Sequence, residues 1–204
     1  WVDEPAAAVA ASSPEARAGL DDLVLTLRRV LTGQQVTVSW VHGDVSPANL
    51  VVTDGRVAGL VDWESAGRDR LPELDLLGLV VALRCETQTQ EFGEVARALV
   101  ERPWTEDEVA ALAAGPNAHL PRQALVLLTW LHHVATNVSK SEAYPANRVW
   151  VLRNVLAVLR ARWVGVRGVR TVIRALLVCA FGASLGLVAI GMVAAVGPAP
   201  FATP

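Results

Sequence analysis

Lysine is almost missing from this chain: Lys140 is the single one among 204 residues, and arginine carries the rest of the positive charge. The formal net charge is −2, and no basic stripe with interleaved aromatics occurs, so there is no electrostatic footprint for nucleic acid. The arginine bias accompanies inflated alanine and valine; it is compositional and implies no function. Cysteine is equally scarce. Cys85 falls in an expected core helix and Cys179 in an apolar stretch, which argues against a disulfide framework and makes a reducing cytosol the natural setting. No His/Cys cluster has zinc spacing: His132 and His133 are adjacent and point to different sides of a helix, and His119 stands alone in a loop. The long apolar run lies toward the C-terminal end, where a secretory signal peptide does not sit. What is present is enough for one domain with a real core.

The most informative segment is His42-Gly43-Asp44-Val45-Ser46-Pro47-Ala48-Asn49, followed by Val61-Asp62-Trp63. Residues 36–41 are dense in β-branched and aromatic side chains and read as a strand entering the motif. Residues 50–53 and 56–61 read as two more strands, with Asp54-Gly55 between them suited to the positive φ angles of a two-residue type I′ turn. A hairpin folded there carries Asp62 back toward the end that Asn49 leaves from. Pro47 stiffens the loop between Asp44 and Asn49. One loop can then hold a proton acceptor and a metal ligand, while a second strand end supplies a charged metal ligand, as phosphoryl transfer requires.

His42-Gly43-Asp44 with Asn49-Leu50, then Gly59-Leu60-Val61-Asp62-Trp63-Glu64, then Pro72-Glu73-Leu74-Asp75-Leu76 resembles the aminoglycoside phosphotransferase family, which groups with choline kinases and the wider protein-kinase-like fold. The resemblance implies that Asp44 takes the proton of an acceptor hydroxyl, and that Asn49 and Asp62 hold Mg²⁺ against the phosphates of ATP or GTP. It also implies that His42 braces the loop and that Asp75 ties the following helix to the site. Glu64, two residues past Asp62, is near enough to touch metal or acceptor and is the weaker candidate. Each piece alone has a plainer reading: His-Gly-Asp as a turn, Asp62 as a cap or exposed turn residue, Asp75 as a cap. The combination, in this order and spacing, is what points to the site.

The resemblance covers about residues 13–163 and matches only the family's C-terminal lobe. Residues 1–35 hold no Gly-rich phosphate loop and no lysine, and the chain starts at Trp1. The expectation is a piece of a longer protein without its nucleotide-binding N-terminal lobe, in which residues 1–12 are disordered or a linker remnant. The implied activity is an ATP-dependent phosphotransferase acting on the hydroxyl of a small-molecule acceptor. Two alternatives stay open: an inactive kinase-like scaffold at the membrane, and a kinase-like domain fused to a larger membrane protein.

The fold class expected is α+β, a mostly helical lobe around a small catalytic hairpin. Ser13-Pro14-Glu15 reads as a helix start, with Ser13 as cap, and an apolar face runs from Leu20 to Leu31 until Gly33 stops it. Residues 74–83 read as a helix buried nearly all round. Residues 88–101 and 105–114 read as shorter amphipathic helices. Residues 124–138 form another with Trp130 in the core, and Val149, Leu152, Val155, Leu156 and Leu159 mark the inner face of a last one. The helical region after residue 86 is where such enzymes gather the acceptor; acids there would favour a cationic one, although Glu86, Glu91, Glu94, Glu101, Glu106, Asp107 and Glu108 are ordinarily a solvated face.

Residues 175–196 carry no charge for twenty-two positions, about 30 Å as a helix, which matches a bilayer core. Arg160, Arg162, Arg167, Arg170 and Arg174 precede them and no charge follows. The tail is therefore expected to be a basic juxtamembrane segment (164–174), a transmembrane helix in contact with lipid (175–196) and a short tail (197–204). The positive-inside rule leaves the domain on the cytoplasmic face. The other readings are a buried helix of a larger core and the first span of a further membrane domain. Gly182 and Gly186 form a GxxxG pair that the small-residue composition explains.

Overall fold

The computed structural model describes residues 1–161. The expected segments 164–174, 175–196 and 197–204 lie outside the described residues. Among the described residues no helix is long and apolar enough to cross a membrane.

Two helices open the chain, α1 (Asp3–Ser12) and α2 (Arg17–Leu31), joined by a 3₁₀ turn at Pro14–Ala16. Residues 1–12 were expected to be disordered or a linker; they are helical instead. Alanine-rich sequence has high intrinsic helix propensity, and Ala6 and Val9 are buried in the core. The helix is also tied at its start, where Trp1 Nε1–H donates to Asp69 O and Trp1 O accepts from His132 Nε2–H. Ser13 does not cap the next helix with its side chain: it is buried, and its Oγ has no hydrogen-bond partner among the described residues. The apolar face of α2 is as the periodicity predicts, with Leu20, Leu23 and Leu27 fully buried.

Four short strands follow: β1 (Ser39–Val41), β2 (Leu50–Thr53), β3 (Arg56–Leu60) and β4 (Gly67–Arg70). They form two antiparallel pairs, β1 with β4 and β2 with β3. In the hairpin Thr53 faces Arg56 and Leu50 faces Leu60, with a bulge at Ala58 where the register slips between Val51 and Val52. Asp54 and Gly55 have φ of 52° and 71°, as a type I′ turn requires. The strand expected over 36–41 is shorter than its composition suggests. Asn117 takes the place of a strand partner, its Oδ1 accepting from Thr37 N (2.7 Å) and its Nδ2–H donating to Thr37 O (2.9 Å).

The helical part consists of α3 (Glu73–Gln88), α4 (Phe92–Glu101), α5 (Glu106–Ala113), α6 (Arg122–Lys140), α7 (Ala143–Ala146), α8 (Arg148–Trp150), a π turn (Val151–Leu156) and α9 (Ala157–Leu159). Its axis is α6, whose residues from Ala124 to Leu131 are all buried, Trp130 completely. Against the expectation of burial all round, α3 buries Leu77 and Val81 but leaves Leu83 exposed. Leu74, Gly78 and Ala82, four residues apart on one stripe, face a cleft rather than a neighbouring helix. Of the inner face expected for the last helix, Val155 and Leu156 are buried and Leu159 packs against the core, whereas Val149, before the π turn, and Leu152, within it, are exposed. Val151, Asn154 and Val158 also turn in, the wider turn spreading the inward face beyond a 3.6-residue repeat. Asn154 O then accepts from Trp130 Nε1–H, and Asn154 Oδ1 from Gly93 N–H (3.1 Å). The fold is thus a mixed one, helices with small sheets, consistent with α+β.

Candidate functional site

The loop between β1 and β2 is held from three sides. Asp75, in the first turn of α3, accepts from His42 N–H at 2.6 Å and Gly43 N–H at 2.8 Å, one carboxylate oxygen each. Gly43 has φ +82°, and a side chain there would run into the carbonyl of Ser65, so only glycine lets the loop pass this close. The buried imidazole of His42 donates from Nε2 to Val61 O at 2.8 Å and accepts at Nδ1 from Asp44 N–H at 3.3 Å, a pairing that fixes the proton on Nε2. Its ring meets Trp63 edge-on, centroids 4.7 Å apart.

Asn49 closes the loop. Its Nδ2–H donates to Asp44 O at 2.9 Å, across the five-residue span, and its backbone O accepts from Val61 N–H at 3.0 Å. That second bond extends the β2–β3 ladder by one rung, to the residue before Asp62. Asp62 itself sits at φ 65°, ψ 62°, a left-handed conformation that aspartate tolerates better than most side chains. Asp44, Asn49, His42 and Asp75 are therefore linked by a continuous set of hydrogen bonds that ends at Val61, the residue before Asp62. Glu64 bonds to none of them: it pairs with Lys140 Nζ at 3.3 Å, and the same ammonium lies 3.4 Å from Ser65 Oγ.

The donor chemistry suits a hard cation. Asn49 is oriented with its NH₂ toward Asp44, which leaves its Oδ1 for a ligand, and the carboxylate of Asp62 takes no hydrogen bond from the described residues. No group of three His, Cys, Asp or Glu side chains able to hold a metal occurs among the described residues. Two oxygens fit Mg²⁺ where phosphate and water complete the shell, since this ion commonly takes only one or two protein ligands there.

Asp44 also lines a cleft of about 200 Å³ between the loop, α3 and α6, whereas Asn49 and Asp62 lie outside that lining. Its lining also includes Arg70, Phe92, His133, Asn137 and Lys140. Phe92 and His133 stack in parallel at 3.7 Å. Burial pushes the His133 imidazole down to about 4, and burial likewise holds His132 below its usual value. Sequence reasoning did not single out these wall residues as a site. Phe92, His133 and Asn137 carry no motif, and Lys140 stood out only by being alone.

A latch outside the cleft was also invisible from the sequence. Buried Glu73 accepts from Asn117 N–H at 2.8 Å and from Asn117 Nδ2–H at 2.7 Å, joining the start of α3 to the loop after α5.

The sequence model of the phosphotransferase enzyme family matches residues 2–112, more than half of the chain and including the whole His42–Asp75 constellation. No curated protein and no solved structure gave a significant match. On the strength of that match and of the linked loop and hairpin, this chain belongs to the phosphotransferase enzyme family.

Proposed function

We propose that the chain carries the acceptor and metal side of an ATP-dependent phosphotransferase of the aminoglycoside phosphotransferase type, the C-terminal lobe of a protein-kinase-like fold. The observation that carries this reading is the Asn49 junction, one residue bonded to the Asp44 backbone and to the Val61 rung that precedes Asp62. In the proposed reaction the acceptor oxygen bonds to the γ-phosphorus as the bond to the β–γ bridging oxygen breaks. ADP leaves, and Asp44 takes the hydroxyl proton. Mg²⁺, when bound, supplies neutralisation of phosphate charge; Asn49 Oδ1 and the Asp62 carboxylate would hold it. His42 and Asp75 keep the backbone of the loop fixed so that Asp44 needs no reorganisation. A Gly-rich loop and a strand lysine, which would cover the nucleotide, are not among residues 1–35, so the reading assigns this chain no role in gripping the adenine side.

We also propose that residues 175–196 anchor the domain to a membrane with residues 1–161 on the cytoplasmic side, supported by the uncharged run and the arginines that precede it.

The central test measures binding of Mg·ATP and its Mg²⁺-dependent hydrolysis, water standing in for the acceptor, in the full-length protein and in its Asp44→Asn and Asp62→Asn variants. Both substitutions keep size, and Asn tolerates the left-handed backbone at 62. Asp62→Asn is expected to abolish Mg²⁺-dependent binding. Asp44→Asn is expected to keep binding and lose about 10²–10⁴-fold in turnover. Turnover unchanged in both variants overturns the assignment.

A further inference from the structure

The charges in the cleft beside Asp44 select what can occupy it. Two permanent cations, the guanidinium of Arg70 and the ammonium of Lys140, are part of its lining, contributed by β4 and the end of α6. The carboxylates in that lining are Asp44 and Asp75, and both oxygens of Asp75 are already occupied by the backbone N–H groups of His42 and Gly43. None of the other acids of the helical region is part of the lining; of them, Glu91 and Glu94 hold Arg153, and Glu108 holds Arg84. A polycationic acceptor would need carboxylates opposite Asp44; beyond these two the lining holds none, and Glu64, outside it, is paired with Lys140.

The two cations are also available. Arg70 lies against the backbone of Gly43 and Gly67, and its one hydrogen bond among the described residues, from Nη1 to Ser65 O, is long at 3.5 Å, so these residues leave most of its five N–H groups to a ligand. Lys140 is held by Glu64 in a pair whose side chains are 44% and 69% exposed, an interaction that water already weakens. A carboxylate in the cleft offers Arg70 a two-pronged partner and gives Lys140 a less hydrated one.

Building on the phosphotransferase reading of this site, we infer that its acceptor is a small hydroxylated anion, a polyhydroxy acid whose carboxylate is gripped by Arg70 and Lys140 while a hydroxyl meets Asp44. The stacked Phe92–His133 pair supplies a flat, apolar wall for the carbon chain between these two ends, and the cleft of about 200 Å³ limits the acceptor to a single small molecule.

The test uses three six-carbon probes alike in size and different in charge: gluconate, sorbitol and glucamine, titrated calorimetrically into the protein at pH 7.5. Gluconate is expected to bind at least about tenfold tighter than sorbitol, and glucamine weakest, the loss of one charge-assisted contact being worth roughly this factor. Arg70→Gln and Lys140→Gln should each weaken gluconate about tenfold and leave sorbitol unchanged. Lys140→Glu, a change at a half-exposed position that the fold tolerates, should erase the preference for gluconate. Equal binding of the three probes, or a preference that survives both Arg70→Gln and Lys140→Glu, overturns the inference while leaving the phosphotransferase reading intact. Variants that weaken Mg·ATP and spare gluconate would assign both cations to the γ-phosphate and overturn it as well. A gluconate preference alongside Mg·ATP binding indifferent to Asp62→Asn would instead sink the parent reading, and with it the role of the anion as acceptor.

Discussion

Replacing Asp75 tests how the loop that presents Asp44 is held. Its carboxylate is the partner of two adjacent backbone N–H groups, at 2.6 and 2.8 Å. The two are not equivalent. His42 is buried, so its N–H would be stranded, whereas Gly43 is exposed and water can replace the lost oxygen. Asp75→Ala therefore loses one charge-assisted bond outright and one at a discount, about 2–4 kcal/mol together. Asp75→Asn keeps one acceptor, which settles on His42 N–H and turns its NH₂ toward Gly43 N–H, at a cost of about 1–2 kcal/mol. In urea, with a slope of roughly 2 kcal/mol/M for a domain of this size, the alanine variant should lose about 1–2 M in midpoint with its slope unchanged. The asparagine variant should fall between it and the parent. If Asp75→Ala unfolds at the parental midpoint, the clamp does not hold the loop and the account of how Asp44 is positioned fails.

The remaining predictions concern other parts of the structure. His133 has a folded-state pKa near 4, below the unfolded value of 6.5, so the unfolded chain binds more protons between these values and stability rises with pH across that window. Acidification from pH 7 to 4 should cost about 3 kcal/mol from this residue, and urea melts of His133→Gln should lack that share of the slope. Asn117→Ala strands Thr37 and removes a donor from Glu73; a loss of about 2–4 kcal/mol, seen as a Tm roughly 5–15 °C lower in a thermal melt, is expected, and an unchanged Tm would refute the latch. Removing residues 164–204 should move the protein from the membrane fraction to the supernatant, and equal solubility of both forms refutes the anchor.

Legibility in the sequence followed how local each cause is. Asp54-Gly55 names its own turn, and residues 124–138 are recognisable as a helix from the sequence, within an α6 that runs from Arg122 to Lys140, so both are readable without tertiary information. The short β1 is decided by Asn117, eighty residues away, and β4 by its pairing with β1, since Gly67-Arg68-Asp69-Arg70 has no apolar alternation. In the last helix Val155, Leu156 and Leu159 were readable, whereas Val149 and Leu152, before and within the π turn, face outward against the repeat. Helix α1 was missed because an alanine run shows no stripe. In the candidate site, the bonds of Asn49 and Asp75 follow the spacing of the motif, whereas Arg70 and Lys140 reach the same cleft from segments seventy residues apart.

The solitary lysine has a practical consequence. Reagents that acylate amines have one side-chain target in this polypeptide, and it stands at the mouth of the cavity rather than scattered over the surface. Shielding of that amine by a bound compound can thus be followed by mass spectrometry on a single peptide, turning a quirk of composition into an occupancy reporter.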